Sequence, residues 1–86
     1  MILQKFMNTK NKDVVFKTLR EVFPSLDGEI HEDWGPEQIQ DWDSLAHLNL
    51  VMALGEKFDV TLEFDEVMSI EIVGDIFKIL DKKGIQ

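Results

Sequence analysis

The apolar residues of the chain recur at the spacing of amphipathic helices in three stretches. The first helix is predicted from about Thr9 or Asn11 to Phe23, with Pro24 stopping it. Its apolar residues stand at i, i+4 and i+7: Val15, Leu19 and Val22. Four upstream residues share one stripe, so residues 1–8 either extend this helix or form a frayed end: Ile2, Leu3, Phe6 and Met7.

Three further helices are predicted downstream. The second runs from about Ser44 to Lys57, a short third lies near residues 64–68, and the last follows Ser69, whose side chain suits an N-cap. The last helix is followed by a tail, residues 84–86, and its end is marked by Lys82, Lys83 and Gly84. No strand could find a partner, so the pattern predicts an all-α fold, a small four-helix bundle with three longer helices and one short one.

The stretch from Pro24 to Asp43 follows neither the helical nor the strand period. We expect a long ordered loop, with one helical turn started by Pro36, because disordered segments are poor in aromatic residues and this one holds two tryptophans. A loop this long in a small domain is usually functional or disordered. Its scattered apolar residues are Leu26, Ile30, Trp34, Ile39 and Trp42.

The second helix carries two apolar arcs when it is projected at 100° per residue. One arc should face the core: His47, Leu50, Val51, Leu54 and Phe58. The other lies next to Ser44: Leu45, Leu48, Met52 and Gly55. A surface helix needs only one apolar stripe, so either the long loop packs over the second stripe or partner proteins dock on it.

Length and composition predict one domain, residues 1–86. With 17 acidic and 9 basic residues the net charge is −8, which disfavours nucleic acid and anionic membranes and favours basic partner surfaces. The charge is +4 over residues 1–20, −14 over 21–75 and +2 over 76–86. The chain has no cysteine, and we expect neither a signal peptide nor a membrane span, so a cytoplasmic protein is expected. We also expect the chain to be a monomer.

Asp43 and Ser44 stand directly before the periodic residues of the second helix, and both are residue types that begin helices. Ser44 should therefore lie at a helix N-terminus, where the free amides and the helix dipole favour a phosphoester. A serine hydrolase is disfavoured, because His47 lies one turn along the same helix and no Gly-x-Ser-x-Gly motif is present. No metal site is expected, since the histidines lack ligand spacing.

The stretch Trp42-Asp43-Ser44-Leu45, followed by residues 48–54 and 56–58 (Leu-Asn-Leu-Val-Met-Ala-Leu and Glu-Lys-Phe), resembles the attachment motif and second helix of acyl carrier proteins. The resemblance extends over about residues 14–83. It implies that Ser44 carries 4′-phosphopantetheine, whose thiol holds acyl or aminoacyl groups as thioesters, and that the chain is not an enzyme. It also implies a phosphopantetheinyl transferase and acyl-loading and acyl-transferring enzymes as partners.

The resemblance assigns roles to the residues around Ser44. Asp43 would cap the helix and help to position the serine, whereas partners would dock on Leu45, Leu48, Met52 and Glu56. The alternative is a small acidic helical module that binds proteins through the same face without a cofactor.

The second helix departs from the acidic pattern usual in fatty-acid carriers. Only Glu56 is acidic there, and the corresponding positions hold Ala46, Asn49, Gly55 and Lys57. This favours a specialised pathway, such as polyketide, nonribosomal peptide or modified-sugar assembly, over general fatty-acid synthesis.

Overall fold

The computed structural model describes residues 7–86 and contains four α-helices in that range, with no strand. They are α1 (Thr9–Val22), α2 (Ser44–Phe58), α3 (Phe64–Ser69) and α4 (Val73–Lys82). The all-α prediction is confirmed, and so are the three longer helices and the short third one. No helix among the described residues is both long and apolar enough to cross a membrane.

The first helix begins where a side chain caps it. Asn8 is the N-cap, and its Oδ1 accepts the N–H of Asn11 at 2.8 Å. Met7 therefore precedes the helix and is buried as part of the core, so the suggested extension through residues 7 and 8 is wrong. Ile2, Leu3 and Phe6, on which the rest of that suggestion depends, lie outside the described residues.

The start of the last helix corrects the prediction for Ser69. Ser69 is the final residue of α3, where its hydroxyl donates to the carbonyl of Glu66 at 2.7 Å. Ile72 occupies the N-cap of α4, and the carboxylate of Asp75 accepts the N–H groups of Glu71 and Ile72 at 2.9 and 3.1 Å. The carboxylate of Asp75, three residues after the N-cap, thus accepts hydrogen bonds at the start of α4, where the sequence predicts a capping serine.

The end of α4 follows the prediction for Gly84. This residue adopts φ +89° directly after the C-cap, a conformation that glycine tolerates best. Its N–H donates to the carbonyl of Asp81 at 3.0 Å, and the N–H of Ile85 donates to that of Leu80 at 2.9 Å. These two bonds satisfy carbonyls that the helix would otherwise leave free.

The three longer helices and the long loop form one apolar core. The side chains of Val15, Leu19, Leu50, Leu54 and Val73 have no exposed surface, so the inner faces of α1, α2 and α4 meet there. Phe23 at the C-cap of α1 and three buried residues of the long loop complete the core: Ile30, Ile39 and Trp42. The predicted core arc of α2 is correct for Leu50 and Leu54, whereas His47, Val51 and Phe58 are only partly buried.

The long loop is ordered by hydrogen bonds to other elements. At the start of α4, the N–H groups of Val73 and Gly74 donate to the loop carbonyls of Trp34 and Glu32 at 2.8 and 2.7 Å. Gly35 allows this contact, because a Cβ at that position would collide with the carbonyl oxygen of Glu71. The turn expected at Pro36 is present, closed by hydrogen bonds to the carbonyl of Gly35 from the N–H groups of Gln38 and Ile39.

An ion pair between Lys83 and Glu66 links the short helix α3 to the end of α4. The ammonium of Lys83 lies 2.8 Å from Oε1 of Glu66, and both side chains are mostly shielded from solvent. The same carboxylate oxygen accepts the N–H of Glu63 at 2.8 Å. The hydrogen bonds from Lys83 and from the Glu63 backbone hold the pKa of Glu66 below its ordinary value of 4.5.

This lowered pKa predicts a loss of stability in acid. A carboxylate whose folded-state pKa is depressed stabilises the fold above its unfolded pKa and loses that contribution as pH falls through the folded value. The Tm of the wild type should therefore fall as pH falls below about 4.5. Glu66→Gln should lower Tm at pH 7 and reduce its dependence on pH in this window. The exposed loop variant Glu37→Gln is the control; an equal change there would contradict the role given to Glu66.

Candidate functional site

Ser44 is exposed and is the first residue of α2. Asp43 is the N-cap, and its Oδ1 accepts the N–H of Ala46 at 2.8 Å. The backbone amides of Ser44 and Leu45 precede the first intrahelical hydrogen bond, which the N–H of His47 donates to the carbonyl of Asp43. The predicted helix N-terminus is confirmed. Its cap is the carboxylate of Asp43 and not the hydroxyl of Ser44.

The apolar stripe beside Ser44 faces solvent. Leu45 is 68% exposed, Leu48 54% and Met52 65%, so the long loop does not pack over it. Glu56, one turn beyond Met52, is also exposed. The alternative in which the loop covers the stripe is therefore wrong. The four residues predicted for docking share an accessible side of α2.

His47 links three elements of the bundle behind Ser44. Its Nδ1 lies 2.9 Å from the indole Nε1 of Trp42, and its Nε2 lies 2.8 Å from the carbonyl oxygen of Val67. An indole nitrogen can only donate, so Nδ1 must accept, and Nε2 then carries the proton and donates to Val67. The ring thus connects the end of the long loop to α2 and α3.

These bonds decide what His47 can do chemically. With Nδ1 occupied by Trp42 and Nε2 by Val67, neither ring nitrogen is available to take a proton from the hydroxyl of Ser44. His31 is an exposed loop residue whose ring lies 4.9 Å from that of Trp34. Within residues 7–86 no three histidine, aspartate or glutamate side chains are grouped as metal ligands.

Ser44 lies at a cleft of about 420 Å³ between α2, α3 and the end of the long loop. Trp42 and His47 line it together with Ser44, and Leu48 and Met68 lie among its apolar lining residues. The volume is within the range of small-molecule sites. The remaining lining residues are Pro36, Asp43, Val67 and Ile70.

Known proteins resemble this chain in sequence and in fold. No protein-family model matches the chain. Over 39 residues the chain is 38% identical to a protein of Caulobacter vibrioides (strain NA1000 / CB15N) named "Probable acyl carrier protein". The match covers 45% of this chain and 45% of that relative. A solved structure from Mycobacterium tuberculosis, described as "a putative acyl carrier protein", superposes with a TM-score of 0.75, covering 84% of this chain and 96% of the other at 21% identity.

The chain has the fold of an acyl carrier protein. The resemblance seen in the sequence is thereby confirmed, and both similar proteins bear the name of a carrier and not of an enzyme. Within this acyl carrier protein fold, Ser44 begins the second helix, where the resemblance expects the attachment serine.

Sequence reasoning did not find two features of the site. The bonds of His47 to Trp42 and Val67 join residues 5 and 20 positions away in the chain, and only the fold reveals the second of them. The exposed residues Phe64 and Met68 of α3 were also missed. Their i, i+4 spacing on a short helix was the available signal.

Proposed function

We propose that the chain is a carrier protein whose Ser44 bears 4′-phosphopantetheine as a phosphoester. The observation that carries the proposal is the placement of Ser44: exposed, at the first position of α2, directly after a cap supplied by Asp43, and beside an apolar cleft. The match to proteins named as acyl carriers supports it. The chain itself would catalyse no reaction.

The residues around Ser44 fit the proposed group. The first-turn amides of α2 and the positive end of its dipole favour a phosphate there by about 0.3–1 kcal/mol. When attached, the arm supplies a thiol that can hold acyl or aminoacyl groups, and this chain has no cysteine to provide one. Asp43 caps the start of α2 and so holds the backbone at the point where Ser44 would be presented to a phosphopantetheinyl transferase.

The proposed partners are that transferase and the enzymes that load and transfer the acyl group. Leu45, Leu48 and Met52 provide an exposed apolar centre, and Glu56 an acidic rim. The scarcity of acids along α2 supports a specialised biosynthetic pathway over general fatty-acid synthesis. The cytoplasmic location and the monomeric state expected from the sequence stay predictions.

The experiment that tests the proposal is labelling. The purified protein is incubated with coenzyme A and a phosphopantetheinyl transferase of broad specificity, and the intact mass is then measured. We expect one added phosphopantetheine, located on the peptide that contains Ser44. An unchanged mass under conditions that label an established carrier would favour the cofactor-free interaction module.

Met52→Glu tests the docking stripe. Met52 is 65% exposed, so a carboxylate there stays solvated in the free protein and Tm should change little. In a complex the same carboxylate would be removed from water without a positively charged group to pair with it. This costs free energy of binding and should raise KM for labelling. Thr9→Glu places the same charge on an exposed position of α1 and should leave KM unchanged. A large fall in Tm for Met52→Glu would show that the stripe packs against the protein itself.

A further inference from the structure

His47 contacts both residues that precede Ser44 in the chain. Its backbone N–H donates to the carbonyl of Asp43 at 2.9 Å, and Nδ1 of its ring accepts the indole N–H of Trp42 at 2.9 Å. The rings of His47 and Trp42 are also stacked, with centroids 6.0 Å apart and 21° between their planes. A single residue of α2 thus holds the segment that leads into Ser44.

Trp42 is anchored in the core, so its position affects the chain on either side of it. Its side chain is 6% exposed, and its indole ring lies 5.2 Å from the ring of Phe23. Its backbone N–H donates to the carbonyl of Ile39 at 3.1 Å. A buried indole N–H needs an acceptor. Loss of Nδ1 at position 47 would therefore favour a shift of Trp42, and with it of the backbone that carries Ser44.

Helix α3 determines which nitrogen of His47 can accept a hydrogen bond. The carbonyl oxygen of Val67 lies 2.8 Å from Nε2 and can only accept, so it keeps the ring proton on Nε2. Nδ1 is then left as the acceptor that Trp42 requires. In the other tautomer the ring could bond neither group. A contact from α3, 20 positions along the chain, therefore prepares the contact to Trp42.

The reaction proposed for Ser44 needs a well-placed hydroxyl. Its oxygen forms a bond to the phosphorus of coenzyme A that bears the pantetheine arm. The phosphoanhydride bond breaks, adenosine bisphosphate leaves, and the hydroxyl proton passes to a base of the transferase. Misplacing a reacting atom by about 1 Å can lower a rate by about a hundredfold. The side chain of Ser44 is exposed, so its position depends on the backbone that Asp43 and His47 hold.

We propose that His47 is a positioning residue for the modification of Ser44, and that it acts through its hydrogen bond to Trp42 in the tautomer that α3 selects. This inference rests on the proposed carrier function. A residue that docks the transferase changes KM, whereas a residue that positions the hydroxyl changes kcat of the bound complex. Because Trp42 is buried, it cannot contact the transferase, and any effect of its indole N–H on kcat must act through position.

Two amide substitutions separate the two bonds of the His47 ring. His47→Asn places an amide oxygen near Nδ1, where it can accept from Trp42, whereas His47→Gln places an amide nitrogen near Nε2, where it can donate to Val67. With a phosphopantetheinyl transferase and coenzyme A, we expect His47→Gln to lower kcat by about tenfold or more, with KM little changed. His47→Asn should retain most of the wild-type kcat.

Trp42→Phe tests the same bond from its other end. Phenylalanine keeps an aromatic ring in the core but has no N–H, so kcat should fall as it does in His47→Gln. Since both changes remove one and the same bond, the double variant Trp42→Phe/His47→Gln should be no slower than the slower single variant. Two unrelated structural defects would instead multiply.

NMR measures the bond without any labelling. The chain has two tryptophans, so a proton–nitrogen correlation spectrum of the unmodified protein should show two indole resonances, and Trp42→Phe identifies that of Trp42. His47→Gln should move the Trp42 resonance and leave that of Trp34 in place. His47→Asn should move it less.

Distinct results would overturn distinct claims. Unchanged kcat in His47→Gln and Trp42→Phe, with the wild type labelled normally, would overturn the positioning role and leave the carrier function standing. A raised KM with unchanged kcat would show that His47 contacts the transferase instead. Effects that multiply in the double variant, with a large fall in Tm, would show that both residues only stabilise the fold. A wild type that takes up no label would overturn the carrier function and this inference with it.

Discussion

Ser44→Ala is expected to abolish labelling by the transferase while leaving the fold intact. The alanine side chain has no oxygen to which a phosphate could be esterified. The structure places the cap of α2 on Asp43, whose Oδ1 binds the N–H of Ala46. The free energy of unfolding should therefore change by no more than about 0.5 kcal/mol, as for other surface substitutions, and not by the roughly 0.5–2 kcal/mol of a lost N-cap.

The chain offers matched controls for this experiment. Ser25 and Ser69 are its only other serines, and both are exposed. Ser25→Ala and Ser69→Ala should take up label as the wild type does, measured by intact mass under identical conditions. Label on the Ser44→Ala protein would place the attachment site elsewhere, and one of these two variants would then lose it.

Leu54→Ala is expected to produce the largest loss of stability. Leu54 has no exposed surface and lies where α2 packs into the core formed with α1 and α4. Removing a buried leucine side chain costs about 2–5 kcal/mol, through lost burial and the cavity left behind. Small domains are stable by only about 5–15 kcal/mol, so urea denaturation should show a markedly lower midpoint, and the variant could be largely unfolded at physiological temperature.

Two further alanine variants in α2 serve as comparisons for the stability loss of Leu54→Ala. Met52→Ala, on the exposed stripe, should change the free energy of unfolding by no more than about 0.5 kcal/mol. Phe58 is partly buried, so Phe58→Ala should cost less than Leu54→Ala, although the helical projection alone places both on the core arc. An equal loss of unfolding free energy in Met52→Ala and Leu54→Ala would contradict the structure, in which Leu54 is buried and Met52 is exposed.

The helices could be predicted from local sequence patterns, because where a helix begins and ends depends mostly on residues close together in the chain. Apolar spacing and the stop at Pro24 located α1, and Asp43 and Ser44 marked the start of α2. Gly84 marked the end of α4 for the same reason, since a left-handed residue after a helix is a local requirement. At Ser69 the local signal failed, because the amides before α4 are satisfied by Asp75 from within the helix.

The sequence by itself determined the helices, the acidic character and the placement of Ser44 at a helix start, because each depends on residues a few positions apart. Only the tertiary structure decided whether the second apolar arc of α2, the one next to Ser44, is covered, since that depends on where the loop between α1 and α2 runs. The same holds for His47 and for α3. The partners of His47 come from the loop and from α3, and α3 leaves Phe64 and Met68 in solvent because contacts to Lys83 and His47, distant in the chain, hold it without them.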